Sequence, residues 1–194
     1  MTNPSRILRV LTVSVVFILT AVGCDLGPVP IPTKVVMEGK LLDKSLSLTE
    51  AEQLFIKGVE LNNQGLHRQA IKQYDKSIQL DPDFAMAYNN RAISYRDLGQ
   101  YQRAIQDLTK AIQLDPDDAA AFNNRGSAYN VLNHEKRAIQ DYDKAIQLDP
   151  DFAMAYYNRA ISYRNIRERT KQREDSAKAC SLDSKYCNGV KTLN

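Results

Sequence analysis

Large and small apolar residues alternate along this chain at helical spacing, and the alternation recurs. A large apolar residue stands at Leu54, Tyr88, Phe122 and Tyr156. Four residues later comes a small one, Gly58, Ala92, Gly126 or Ala160, and three after that Leu61, Tyr95, Tyr129 or Tyr163. A second set follows: Ala70, Ala104 and Ala138, then Tyr74, Leu108 and Tyr142, then Ser77, Ala111 and Ala145. Steps of three and four put each set on one helix face, and small opposite large lets two such faces interlock. The pattern predicts helices over 50–63, 67–80, 84–97, 101–114, 118–131, 135–148 and 152–165, with a last one over 170–182. Thr49 and Glu52 have the spacing of a capping box at the first start.

The recurrence has a strict period. Pro82, Pro116 and Pro150 are 34 residues apart, each within Leu-Asp-Pro-Asp. Ala-Ile-Gln-Leu at 111–114 returns at 145–148, with Ser-Ile-Gln-Leu at 77–80. Proline cannot continue a helix, so each copy marks the end of a helix pair. Asp83–Arg96 and Asp151–Arg164 differ only where Asn89 becomes Tyr157, which points to duplication of a two-unit block. On this period and these residues the chain is identified as a member of the tetratricopeptide-repeat (TPR) family. That membership implies an all-α TPR solenoid of antiparallel helix pairs, with three full repeats and a degenerate C-terminal repeat that acts as a cap. The domain is expected over 49–184, with repeats at about 51–84, 85–118, 119–152 and 153–184, and a tail over 185–194. In the last repeat Gln172 and Ser176 replace the alanine and the aromatic, and Ser184 replaces the proline. A terminal repeat needs such a polar outer face because nothing stacks on it.

Charge and the N-terminus set the compartment. The chain is 25% charged and 43% hydrophobic, as a folded helical protein is. Its net charge of +3 depends on Arg6 and Arg9, without which 24 Lys and Arg face 23 Asp and Glu. A nearly neutral body with no basic run excludes an electrostatic nucleic-acid binder. Arg6 and Arg9 precede an apolar run from Val10 to Val22 and then Gly23-Cys24, the layout of a signal peptide over 1–23. The run falls short of the about 20 apolar residues of a membrane span. Leu19-Thr-Ala-Val-Gly-Cys24 resembles the lipobox of bacterial lipoproteins, with Ala21 where that family has a larger aliphatic residue. The resemblance implies acylation of Cys24 (palmitate among the acyl chains). It also implies export to the bacterial cell envelope as a lipid-anchored membrane protein facing the periplasm or the outside. Pro28, Pro30 and Pro32 make 24–48 an extended tether. Anchor and repeat together resemble bacterial TPR lipoproteins.

In the TPR family the first helix of each unit lines the concave groove. The residues thereby implied to face a partner are Asn89, Asn90, Ile93, Arg96 and Asp97, then Asn123, Asn124, Ser127, Asn130 and Val131, then Tyr157, Asn158, Ile161, Arg164 and Asn165. Asn90, Asn124 and Asn158 share one place in the period and resemble the asparagine ladder with which TPR proteins grip an extended peptide. A carboxamide both donates and accepts, so it pairs with a peptide unit of any sequence. The family's carboxylate clamp for chaperone tails needs lysine and asparagine, then asparagine, then two basic residues in successive units. This chain has Phe55 and Val59, Asn90, then Ala120 and Asn124. One unit on it has Asn89 and Ile93, Asn124, then Met154 and Asn158. Only the middle asparagine fits, so acidic chaperone tails are not expected as ligands. The expected function is a protein-interaction scaffold or adaptor for a partner protein or extended peptide. The alternative is an accessory subunit of an envelope enzyme or of a secretion or pilus assembly complex.

Catalysis finds no support. His67 and His134 fall in turns, without ligand-spaced cysteines or carboxylates around them. No Gly-rich phosphate loop, Gly-x-Ser-x-Gly or His-Glu-x-x-His occurs. The acidic residues recur with the period, as a solvated helix face does. No enzyme, cofactor or metal site is expected. Cys180 takes the place of Ile78, Ile112 and Ile146 and should face the core. In an exported protein it is expected to form a disulfide with Cys187. A continuous helix would hold them about 10 Å apart, beyond the roughly 7 Å limit between bridged Cα atoms, so the helix must break at Asp183-Ser184.

Overall fold

A computed structural model describes residues 48–189. The leader, Cys24 and the tether up to residue 47 lie outside the described residues. Eight helices follow one another: α1 (Glu50–Asn63), α2 (His67–Leu80), α3 (Ala85–Asp97), α4 (Tyr101–Leu114), α5 (Ala119–Val131), α6 (Glu135–Leu148), α7 (Ala153–Asn165) and α8 (Arg169–Leu182). A 3-10 segment, Ser184–Gly189, closes the described chain. The helices pack in consecutive pairs, and each pair packs on the next, giving an all-α TPR solenoid. The α3, α5 and α7 helices begin one residue later than the period predicts. Phe84, Asp118 and Phe152 are their N-caps, whose backbone is not yet helical. At Thr49 the capping box is complete: the Glu52 amide donates to Oγ1 at 3.2 Å and its carboxylate accepts the Thr49 amide at 2.7 Å.

Each turn between units is shaped by an aspartate. Asp81, Asp115, Asp149 and Asp183 leave their helices in extended backbone. The Oδ1 of each accepts the amide two residues on, at 3.1, 3.2, 3.0 and 3.0 Å. The fourth copy needs no proline, since Ser184 stands in its place. Within units the turn requires a left-handed residue: Gly65 and Gly99, then Asn133 at φ 57° and Arg167 at φ 65°. Arginine there carries a penalty of about 1 kcal/mol that glycine escapes. Arg167→Gly should therefore raise the thermal midpoint by about 3 °C. A calorimetric scan showing no rise would mean that the Arg167 side chain already offsets the strain.

Inside each pair, Ala70, Ala104 and Ala138 are fully buried beside Tyr74, Leu108 and Tyr142, each 2% exposed or less. Packing alternates from unit to unit. A Cβ on Gly58 would lie 2.5 Å from the Tyr74 ring, and one on Gly126 2.7 Å from the Tyr142 ring. The second unit has Ala92 with the slimmer Leu108. Glycine with tyrosine in units one and three, and alanine with leucine in unit two, fit the duplicated block.

The periodic acids are not all on a solvated face, which corrects that expectation. Asp107, Asp141 and Asp175 are 7%, 6% and 5% exposed. Arg91 on α3 makes two 2.7 Å bonds to Asp107 on α4 and a third to Asp75 on α2. Arg159 on α7 likewise holds Asp175 at 2.7 Å and Asp143 at 2.6 Å. Arg125 on α5 holds Asp141 at 2.8 and 2.7 Å, with Thr109 Oγ1 at 3.3 Å as its third partner. Each arginine thus ties together the two helices of its unit and the second helix of the preceding one. Burial pulls the Arg91 and Arg159 guanidiniums down, but the bonds and charge of their aspartates outweigh it and hold both above their usual value. For Arg125 the Asp141 bonds are the leading cause of the same upward shift. The first unit has Lys57 and Gln73 at these places and lacks the brace.

At the other end, α8 stops at Leu182 and the chain turns back. The Cys180–Cys187 disulfide joins residues whose Cα atoms are 4.5 Å apart. Tyr186 stacks on Tyr157 with ring centroids 4.8 Å apart. One can overlay this on Phe84 and Phe55, three periods earlier, at 5.0 Å. The tail therefore supplies the opening contact of a further unit and pins it covalently to the cap.

Candidate protein-binding face

The first helices of successive units also approach one another, α1 with α3, α3 with α5 and α5 with α7, while no pair of second helices comes as close. A stack with its first helices crowded and its second helices spread curves around the first-helix side. Those four helices thus make one continuous inner face.

Asparagine amides cross that face from unit to unit. Asn124 Nδ2 donates to Asn89 Oδ1 at 3.0 Å, and Asn158 Nδ2 donates to Asn123 Oδ1 at 3.0 Å. Each bond joins the ladder position of one unit to the residue just before the ladder position of the preceding unit. Asn90 has Phe55, which offers no acceptor, at the equivalent place in the preceding unit, and donates instead to the Met86 carbonyl of its own helix at 3.0 Å. Asn123 was expected to face a partner and does not: it is 2% exposed. Its oxygen accepts from Asn158 and its nitrogen lies 3.6 Å from Met154 Sδ, so it is a strut beneath the face. Asn89 is half-buried and accepts from Asn124.

The remaining expected residues lie along the face. Ile93, Ser127 and Ile161 hold equivalent half-buried places on α3, α5 and α7. Asn130 Oδ1 accepts from Ser162 Oγ at 3.0 Å and from Asn165 Nδ2 at 3.3 Å, again linking two units. Arg96 is bonded to Asp97 at 2.9 Å, whereas Arg164 is exposed with no ion pair among the described residues. Tyr157 and Val131 are 36% and 48% exposed. Sequence reasoning missed the inter-unit bonds of Asn89 and Asn130, although Asn62 offered a signal. It precedes Asn130 by two periods, and its Oδ1 accepts from Ser94 Oγ at 2.8 Å just as Asn130 does from Ser162. His67 has a structural part too, with Nδ1 2.8 Å from Asn62 Oδ1. Among the described residues no three His, Cys, Asp or Glu side chains converge as metal ligands.

Family models described as tetratricopeptide repeat match residues 51–84, 85–118, 119–152 and 141–180. No curated protein sequence matches the chain. Among solved structures, a crystal structure of MamA is 28% identical, with a TM-score of 0.65 over 71% of this chain and 81% of that one. The fragment of MamA from residue 41 of Desulfovibrio magneticus RS-1, 24% identical with a TM-score of 0.64, shares the fold over 70% of this chain and 76% of its own. The first TPR domain of Spaghetti (RPAP3), bound to the HSP90 peptide SRMEEVD, is 27% identical. Its TM-score is 0.59, over 60% of this chain and 93% of that one.

Proposed function

This chain belongs to the tetratricopeptide-repeat family, and from that premise we propose that it is a non-catalytic adaptor that holds an extended segment of a partner protein along its first-helix face. The observation that carries the reading is the amide row. Asn124 and Asn158 each donate one N–H to the preceding unit, which fixes the carboxamide. Their carbonyl oxygens accept no hydrogen bond among the described residues, so they are free to take peptide N–H groups. Half-buried Ile93 and Ile161, each three residues beyond an asparagine of the row on the same helix, offer apolar contact. A structural neighbour that holds a peptide supports the same use of the fold. The clamp positions of that use are not filled here: Phe55 is 1% exposed in the core, and Ala120 stands where a basic residue is needed.

If the row holds peptide, Asn90→Ala combined with Asn124→Ala should weaken the complex about tenfold, at roughly 0.5–1.5 kcal/mol for each lost bond. The check is calorimetric titration with the segment recovered by pull-down from solubilised membranes, together with circular dichroism of the variant. Unchanged affinity with unchanged helicity would contradict the reading.

The same proposal includes export and lipidation at Cys24, which rests on the leader and lipobox sequence. Metabolic labelling with a clickable fatty acid should mark the wild type and not Cys24→Ala. An unlabelled wild type would remove the anchor from the proposal.

A further inference from the structure

Arg96 and Arg164 hold equivalent places in the last turns of α3 and α7, yet only one is neutralised. Arg96 donates from Nε and Nη2 to Asp97 Oδ1 at 3.1 and 2.9 Å. Arg164 is followed by Asn165, whose amide is engaged with Asn130 Oδ1 at 3.3 Å. Glu135, two periods after the His67 that lies 3.9 Å from Asp97, makes no ion pair with Arg164. Arg164 is left exposed and without an anionic partner among the described residues. Exposed apolar surface adjoins it. Tyr157 precedes Arg164 by seven residues, so the two share a helix face and are separated by about 10 Å along the axis. Tyr157 is 36% exposed and its ring is held by the stack with Tyr186. Val131, 48% exposed, ends α5 next to Asn130 on the neighbouring unit.

We propose that this end of the face is an acid-reading subsite for a partner segment that carries a carboxylate side chain three residues from an apolar one. The inference rests on the adaptor reading above and specifies the chemistry of the partner. A segment extended as a polyproline II helix advances about 3.1 Å per residue with three residues per turn, so side chains three apart lie on one side and nearly span the distance from Tyr157 to Arg164. The apolar side chain packs on the Tyr157 ring, and the guanidinium fork takes the carboxylate through two N–H donors. Asn165 in place of an aspartate is what leaves the fork open. In the second unit Asp97 fills it, so the second and fourth units differ in what they bind although their first helices are nearly identical in sequence.

Random nine-residue peptides displayed on phage, selected on the full chain, test this directly. The wild-type pool should be enriched in Asp or Glu three positions from a large apolar residue. Replacing that acid by its amide in a synthetic peptide should weaken binding about tenfold. Arg164→Glu should turn the preference toward Lys and Arg. Asn165→Asp, the residue the fold already accepts at Asp97, should abolish the acid preference and keep the apolar one. A wild-type pool with apolar but no acid preference overturns the subsite and leaves the adaptor reading standing. Acid enrichment that survives Arg164→Glu also overturns the subsite. If the wild type selects no peptides, both fall.

Discussion

Gly126→Ala should destabilise the stack by about 1–2 kcal/mol, even though alanine is the better helix former by about 1 kcal/mol. The added Cβ would lie 2.7 and 3.0 Å from two Tyr142 ring atoms and 3.1 Å from the Ala138 carbonyl oxygen. Tyr142 is 1% exposed, so its ring cannot swing away without disturbing the next helix pair. Overpacking of this kind costs about 1–3 kcal/mol and outweighs the propensity gain. The second unit shows the remedy, since Ala92 there faces Leu108. Gly126→Ala with Tyr142→Leu should therefore recover most of the loss, as a favourable coupling in a double-mutant cycle of urea denaturation. If the two losses simply add, glycine and tyrosine are not a matched pair.

Asp141→Asn should have the largest effect of the three buried aspartates, about 3 kcal/mol. Removing one partner of a buried ion pair strands the other charge, which is more damaging than never having built the pair. Arg125 depends on Asp141 alone for its charge, because its third partner is the neutral Thr109 hydroxyl. Arg91 and Arg159 would retain Asp75 and Asp143 if their own aspartates were changed. Asp107→Asn and Asp175→Asn should accordingly cost about half as much. Equal losses at all three positions, measured by denaturant midpoint, would show that the second carboxylates add nothing.

Helix positions were legible because they follow from local chemistry. The small and large residues that recur every 34 positions are those that meet inside each pair, and the first helix start was readable from Thr49 and Glu52. Less legible were contacts that join a residue to a neighbour in another unit. A recurring aspartate on a polar helix looks the same whether it faces water or a buried arginine. The readable signal was the constant offset of 16 residues from Arg91, Arg125 and Arg159 to Asp107, Asp141 and Asp175. It is absent in the first unit, where Lys57 and Gln73 occupy those places. Asn123 illustrates the limit at the face itself. Its place in the period is that of Tyr157, which is 36% exposed, and it is buried because Asn158 and Met154 of the next unit close over it. Tyr157 has no such unit above it and meets Tyr186 of the tail instead. Exposure here depends on where in the stack a unit lies, and a single period cannot report that.

Site-specific photo-crosslinking in cells tests most directly the claim that the first-helix face is where partners are held. A photoreactive phenylalanine is placed at Ile93, Ser127 and Ile161, the equivalent half-buried places on α3, α5 and α7. It is placed for comparison at Lys76, Gln106 and Gln140, exposed on α2, α4 and α6. The expected result is a discrete higher-mass adduct from the first set and none from the second. Adducts from the second helices alone, with a silent first-helix face, would contradict the claim.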